Sequence, residues 1–102
     1  MIRVVYRWTV DSAGADAFVT AWREATRYIQ QACPGARGSV LLKSAAEPDV
    51  YIAMARWDSL DAWQTSRDAA PVVPAEIMET MRSAAGGPPS YEIFDELGEW
   101  IS

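Results

Sequence analysis

The chain of 102 residues has no histidine and no asparagine, one cysteine, one lysine, and no apolar run long enough to cross a bilayer. Each absence excludes something. Without histidine there is no Ser-His or Cys-His nucleophile pair. With a single thiol there is no Cys/His cluster for a soft metal ion, so no metal site is expected. Cys33 cannot form an intrachain disulfide. It precedes Pro34-Gly35 near a helix C-terminus, where the dipole disfavours a thiolate, so it reads as inert. The arginines are scattered and the net charge is −5. Phosphate backbones need clustered Lys and Arg, so no nucleic-acid partner is expected. Met1 to Val10 alternates and carries Arg3 and Arg7, so it lacks the apolar core of a secretion signal. With no membrane span either, the expected compartment is the cytoplasm. No glycine pattern suggests a phosphate cradle. Acidic pairs such as Asp95-Glu96 read as turns, caps and solvated faces.

What the chain does have is apolar surface. Half its residues are hydrophobic, 11% are aromatic, and five are tryptophan. That composition fits one packed domain over residues 1–102. A domain of this size buries only about two thirds of its unfolded surface, so a partner subunit adds stability. Five tryptophans exceed what so small a core needs, and some are expected to face a ligand.

Period-two alternation over Ile2 to Val10 predicts a strand with Val4, Tyr6, Trp8 and Val10 on one face. From about Ala15 to Ala32, Phe18, Ala21, Trp22, Ala25 and Ile29 recur at helical spacing. Pro34-Gly35 ends that helix, the glycine taking a left-handed exit. Gly38 to Lys43 and Val50 to Trp57 read as a hairpin of two strands around a polar loop. Asp58 or Ser59 caps a second helix, with Asp61 in its first turn. That helix carries Trp63 and Arg67 and stops at Pro71. Pro74 opens a short extra helix with Ile77, Met78 and Met81, ended by Gly86-Gly87. Tyr91 to about Leu97 is the last strand. The order β-α-β-β-α-(α)-β predicts an α+β, ferredoxin-like fold, with two helices on one face of a four-stranded antiparallel sheet. On the third strand Tyr51, Ala53, Ala55 and Trp57 point one way, and Val50, Ile52 and Met54 the other. The helices cover only one face. The uncovered one, with Val5, predicts a homodimer through that sheet face.

The run Ala55-Arg56-Trp57-Asp58-Ser59-Leu60-Asp61-Ala62-Trp63 resembles the antibiotic biosynthesis monooxygenase family. So do Val4-Val5-Tyr6-Arg7-Trp8, the helix with Trp22, and Cys33-Pro34-Gly35 leading into Gly38-Ser39. The resemblance implies a dimeric α/β barrel of two ferredoxin-like units, each with a pocket between sheet and helices. It implies cofactor-free oxygenation of aromatic polyketides in one branch and haem degradation in another. Trp57 matches a tryptophan that both branches use, and Trp63 falls where polyketide oxygenases carry a pocket tyrosine. Three family residues are missing. Ala53 stands where polyketide oxygenases place an asparagine. Tyr6 stands where the haem-degrading branch has another, and that branch's histidine has no counterpart. Haem turnover is therefore not expected.

The residues themselves place Tyr6, Tyr51, Trp57 and Trp63 around one cavity with Ala53 at its floor, because two alanines beside large aromatics leave room above a sheet. Trp63 reads equally as helix-to-sheet packing. Arg67 is either a solvated helix residue or leans into the pocket mouth to bind an anionic oxygen. No catalytic residue is identified, and no cofactor is expected. Two functions stay open: a cofactor-independent monooxygenase of phenolic or polyketide-like aromatics, and a binding or dimeric interaction module that does no chemistry.

Overall fold

The computed structural model describes residues 1–101. Its elements are β1 (Ile2–Thr9), α1 (Ala15–Ala32), β2 (Ala36–Lys43), β3 (Val50–Trp57), α2 (Leu60–Asp68), α3 (Ala75–Ala85) and β4 (Ser90–Asp95). The four strands form one antiparallel sheet in the order β2-β3-β1-β4, which is the α+β ferredoxin-like arrangement expected. β1 and β3 are central, and the register pairs Tyr6 with Ala53, Trp8 with Tyr51, and Ile2 with Trp57. Directly opposed residues share a face. That register therefore gathers the large aromatics of both strands on the side facing the helices.

The sequence expectation for the last helix needs correction. Read as a short extra, α3 is longer than α2 and is the helix that packs alongside α1. The shorter α2 sits at the Trp57 end of β3. Its start is held by Ser59, whose hydroxyl oxygen accepts the Ala62 N–H at 3.0 Å, satisfying one of the free donors of a first turn.

Two glycines act differently from each other. Gly35 does not take the left-handed exit expected of it. It is needed because a Cβ there would lie 2.5 Å from the Ala62 Cβ, and so would push α2 away. Gly38 does adopt positive φ, at 102°. It sits where β2 slips register between Ala36 and Ser39, so the strand begins two residues earlier than expected and carries a bulge.

The helix side of the sheet holds the core. One buried cluster joins Trp8, Val10, Phe18, Ala21, Tyr51 and Met81, and a second joins Ile2, Val4, Cys33, Trp57 and Trp63. The opposite face has no helix over it. Its apolar side chains include Val5, Ile52 and Met54, with Val40, Leu42 and Phe94 each more than two fifths exposed. Val50, assigned to that open face, is buried at the start of β3. Glu96 is not on a solvated face either. Its carboxylate accepts from Arg56 at 2.6 Å and from Arg3 at 2.7 Å, which holds it below the usual carboxylate range.

Candidate functional site

Between the sheet and the helices lies an apolar cavity of about 270 Å3. Its floor follows from strand parity. Ala53 and Ala55 of β3 alternate with outward-facing Met54, so both lie on the helix side, and Ser39 of β2 pairs with Ala55. Tyr6, Trp8 and Trp57 rise around this floor. The roof comes from α1, through Trp22, Ala25, Thr26, Ile29 and Gln30, and from α3 with its exit loop, through Met78, Met81, Arg82 and Gly87-Pro88-Pro89.

Three of the residues predicted for the site line this cavity: Tyr6, Ala53 and Trp57. The other three do not. Tyr51 shares their face but lies at the other end of the layer, 5% exposed and packed edge-on to Phe18 at 5.6 Å. Trp63 and Arg67 stand behind Tyr6. The Trp63 indole N–H donates to the Tyr6 hydroxyl oxygen at 3.3 Å. The Arg67 guanidinium lies 5.0 Å over the Trp63 ring and 4.7 Å over Tyr91, and donates to the Tyr91 hydroxyl. Arg67 therefore packs over two mutually tilted rings and does not line the cavity.

This arrangement orients one phenol. An indole nitrogen can only donate, so the Tyr6 oxygen must accept, and its own proton remains free for another acceptor. Burial raises the Tyr6 pKa above its usual value near 10, while the Trp63 hydrogen bond and the Arg67 charge pull it the other way. At neutral pH Tyr6 is thus a neutral phenol, and the residue forms part of the wall of an apolar space. The lining carries one formal charge among the described residues, that of Arg82. Its guanidinium is more than half exposed and pairs with Glu79 at 2.9 Å. Gln30 adds a directed amide. Its oxygen accepts the Gly38 N–H at 3.1 Å, which leaves its NH2 group to donate elsewhere.

Sequence reasoning missed Trp22, Met81, Arg82 and the Pro88-Pro89 segment as cavity residues. Trp22 and Met81 lie in the apolar stripes of their helices, so a signal existed for these. Nothing local marked Arg82. No group of metal-ligating side chains occurs among the described residues, and no helix there is long and apolar enough to cross a membrane.

The sequence model of the family described as antibiotic biosynthesis monooxygenase matches residues 1–73. No curated protein matches the chain by sequence. Among solved structures, SnoaB, a cofactor-independent oxygenase from Streptomyces nogalater, superposes with a TM-score of 0.78 at 18% identity, over 99% of this chain and 97% of that one. A candidate antibiotic biosynthesis monooxygenase from Caulobacter crescentus gives 0.79 at 23% identity, over 95% and 90% of the two chains. One from Deinococcus radiodurans gives 0.74 at 14%, over 100% and 97%. At these identities the structural likeness speaks for the fold.

Proposed function

The chain belongs to the antibiotic biosynthesis monooxygenase family, and from that premise we propose that it oxygenates a flat, electron-rich phenol or anthrone held in the cavity, without a cofactor. The observation that carries this reading is the pairing of an alanine-floored, aromatic-walled space with one oriented phenol donor, Tyr6. The likeness to a cofactor-independent oxygenase supports it.

The balance is simple for an anthrone. Its methylene becomes a carbonyl, one atom of dioxygen is retained, and the other leaves as water with the two methylene hydrogens. The substrate supplies all the electrons once it is an enolate. The protein's part is to bind the ring system, exclude water and favour the anion. The free proton of Tyr6 hydrogen-bonds the developing oxyanion, and the positive charge of Arg82 favours it from the roof. Trp63 and Arg67 hold Tyr6 in place from behind.

The test is turnover of an anthrone in air, with oxygen uptake and quinone formation followed together. Tyr6→Phe should lower the rate by roughly 10- to 1,000-fold, the usual effect of removing one oxyanion donor. A rate no faster than with an inert protein would end the reading. One observation favours the second reading, a binding module without chemistry: Ala53 stands where the resemblance calls for an asparagine. Tryptophan quenching by the anthrone with no quinone formed would establish it.

We also propose that the working unit is a homodimer joined through the uncovered sheet face. Support comes from the exposed Val40, Leu42 and Phe94 beside Val5, Ile52 and Met54. Ile52→Glu places an unpaired charge in that interface. It should convert a dimer to an 11.3 kDa monomer in sedimentation. A natural-sequence protein that sediments as a monomer at micromolar concentration would refute the dimer.

A further inference from the structure

The cavity has a neighbour on the side of β2. Trp22 and Ser39, which line it, also line a second and more open space of about 450 Å3. That groove runs between α1 and the edge strand, with Val19 and Arg23 on one side and Leu41 and Lys43 on the other. The two spaces therefore lie side by side, with Trp22 and Ser39 bordering both.

The groove differs from the rest of the surface in its charge. Its lining holds two cations, Arg23 and Lys43, and no carboxylate. Lys43 is the only lysine of the chain. Arg3, Arg7, Arg37, Arg56 and Arg82 sit in ion pairs and Arg27 and Arg67 lie over aromatic rings, whereas Arg23 and Lys43 form no ion pair among the described residues. In a protein of net charge −5, a groove with two cations free of ion pairs and an apolar floor, beside an apolar cavity, is a local reversal of sign. Arg23 comes to it from the helix and Lys43 from the strand, so the two walls each bring one cation.

We propose that this groove receives an anionic tail, a carboxylate or similar small group, on a ligand whose flat apolar head fills the cavity. The assignment rests on the reading of the cavity as the ligand site and adds the shape and charge of the ligand to it. Ser39 and Lys43 are four residues apart on one strand, about 13 Å at the usual rise. The long lysine stem shortens that gap, so the tail spans several bonds. Trp22 is the residue it passes.

The experiment compares 4-(2-anthryl)butyrate with 4-(2-anthryl)butanol, which share head and tail length and differ in charge. Binding is read by calorimetry and tryptophan quenching. The carboxylate should bind about five- to tenfold more tightly at low salt, as expected for two partly exposed charge-assisted contacts. High salt should shrink that advantage. Arg23→Gln with Lys43→Gln should abolish it and leave the alcohol's affinity unchanged. Both side chains are exposed, so circular dichroism should show an intact fold, and either single variant should lose part of the advantage. Equal affinity for the two probes, or an advantage that survives in the double variant, overturns the groove while the cavity reading stands. If neither probe binds, the cavity reading fails and the groove falls with it.

Discussion

The two ends of the layer between sheet and helices are built from the same strands and come out differently. At one end Trp8, Phe18 and Tyr51 meet edge to face, with ring centres 5.1 and 5.6 Å apart, and Phe18 and Val10 are almost wholly buried. At the other end the layer opens into the cavity. On β3 the helix-facing side chains run Tyr51, Ala53, Ala55, Trp57, so two small residues stand between two large ones. All four are apolar or aromatic. What separates core from cavity here is side-chain size at fixed parity, and hydrophobicity carries no part of the distinction.

The sharpest way to break the comparison is to hollow out the solid end. Phe18→Ala removes a ring with no exposed surface, and it should cost about 3–5 kcal/mol in chemical denaturation. Met78→Ala, on the cavity roof and 44% exposed, should cost about 1 kcal/mol or less. Equal losses would mean that the two ends are packed alike.

Filling rather than emptying gives a smaller effect and a finer distinction. Ala53 and Ala55 both line the cavity, but Ala53 is only 1% exposed and belongs to the solid cluster, whereas Ala55 is partly open. Ala53→Leu should overpack the core and cost about 1–3 kcal/mol. Ala55→Leu should cost less, and should weaken the binding of a flat aromatic by occupying its space. If Ala53→Leu is tolerated and also blocks the ligand, the floor lies at Ala53, where the alternation of the sequence alone places it.

That pair marks how far the sequence could be read. Period two assigned each strand residue to its face, and the βαββαβ order followed from turn and stop signals at Pro34, Pro48 and Pro71. Parity says which face a side chain takes, yet not which end of the layer is filled. Tyr51 was therefore placed in the cavity with Tyr6, although they sit beside different neighbours. Helix residues were harder. Trp63 and Arg67 follow Trp57 closely in the chain, but α2 carries them behind Tyr6. The roof depends on how α3 lies against α1, which no local pattern fixes. The family match ends at residue 73. Met78, Met81, Arg82 and the Pro88-Pro89 wall thus come from the part of the chain where resemblance gave no guidance.

The smallest expected effect concerns Tyr6, which stands at the boundary between the two ends. Its ring stacks on Trp8 of the solid end at 5.8 Å, the residue lines the cavity, and its hydroxyl accepts from Trp63. Burial makes the phenol harder to ionise in the folded chain than in the unfolded one. A pKa raised by folding stabilises the protein below the unfolded value, and that contribution is lost as pH rises through the folded value. The folded state should therefore weaken above pH ~10, where the unfolded chain releases the proton and the folded chain retains it. Tyr6→Phe removes this group and keeps the ring, so its stability should fall less steeply above pH ~10 than that of the natural sequence. A ligand anion in the cavity should steepen the natural protein's dependence further, because an ionised Tyr6 would repel it and cease to donate. Identical alkaline profiles for the two proteins would mean that the hydroxyl is already open to water, and Tyr6 would then belong to neither end.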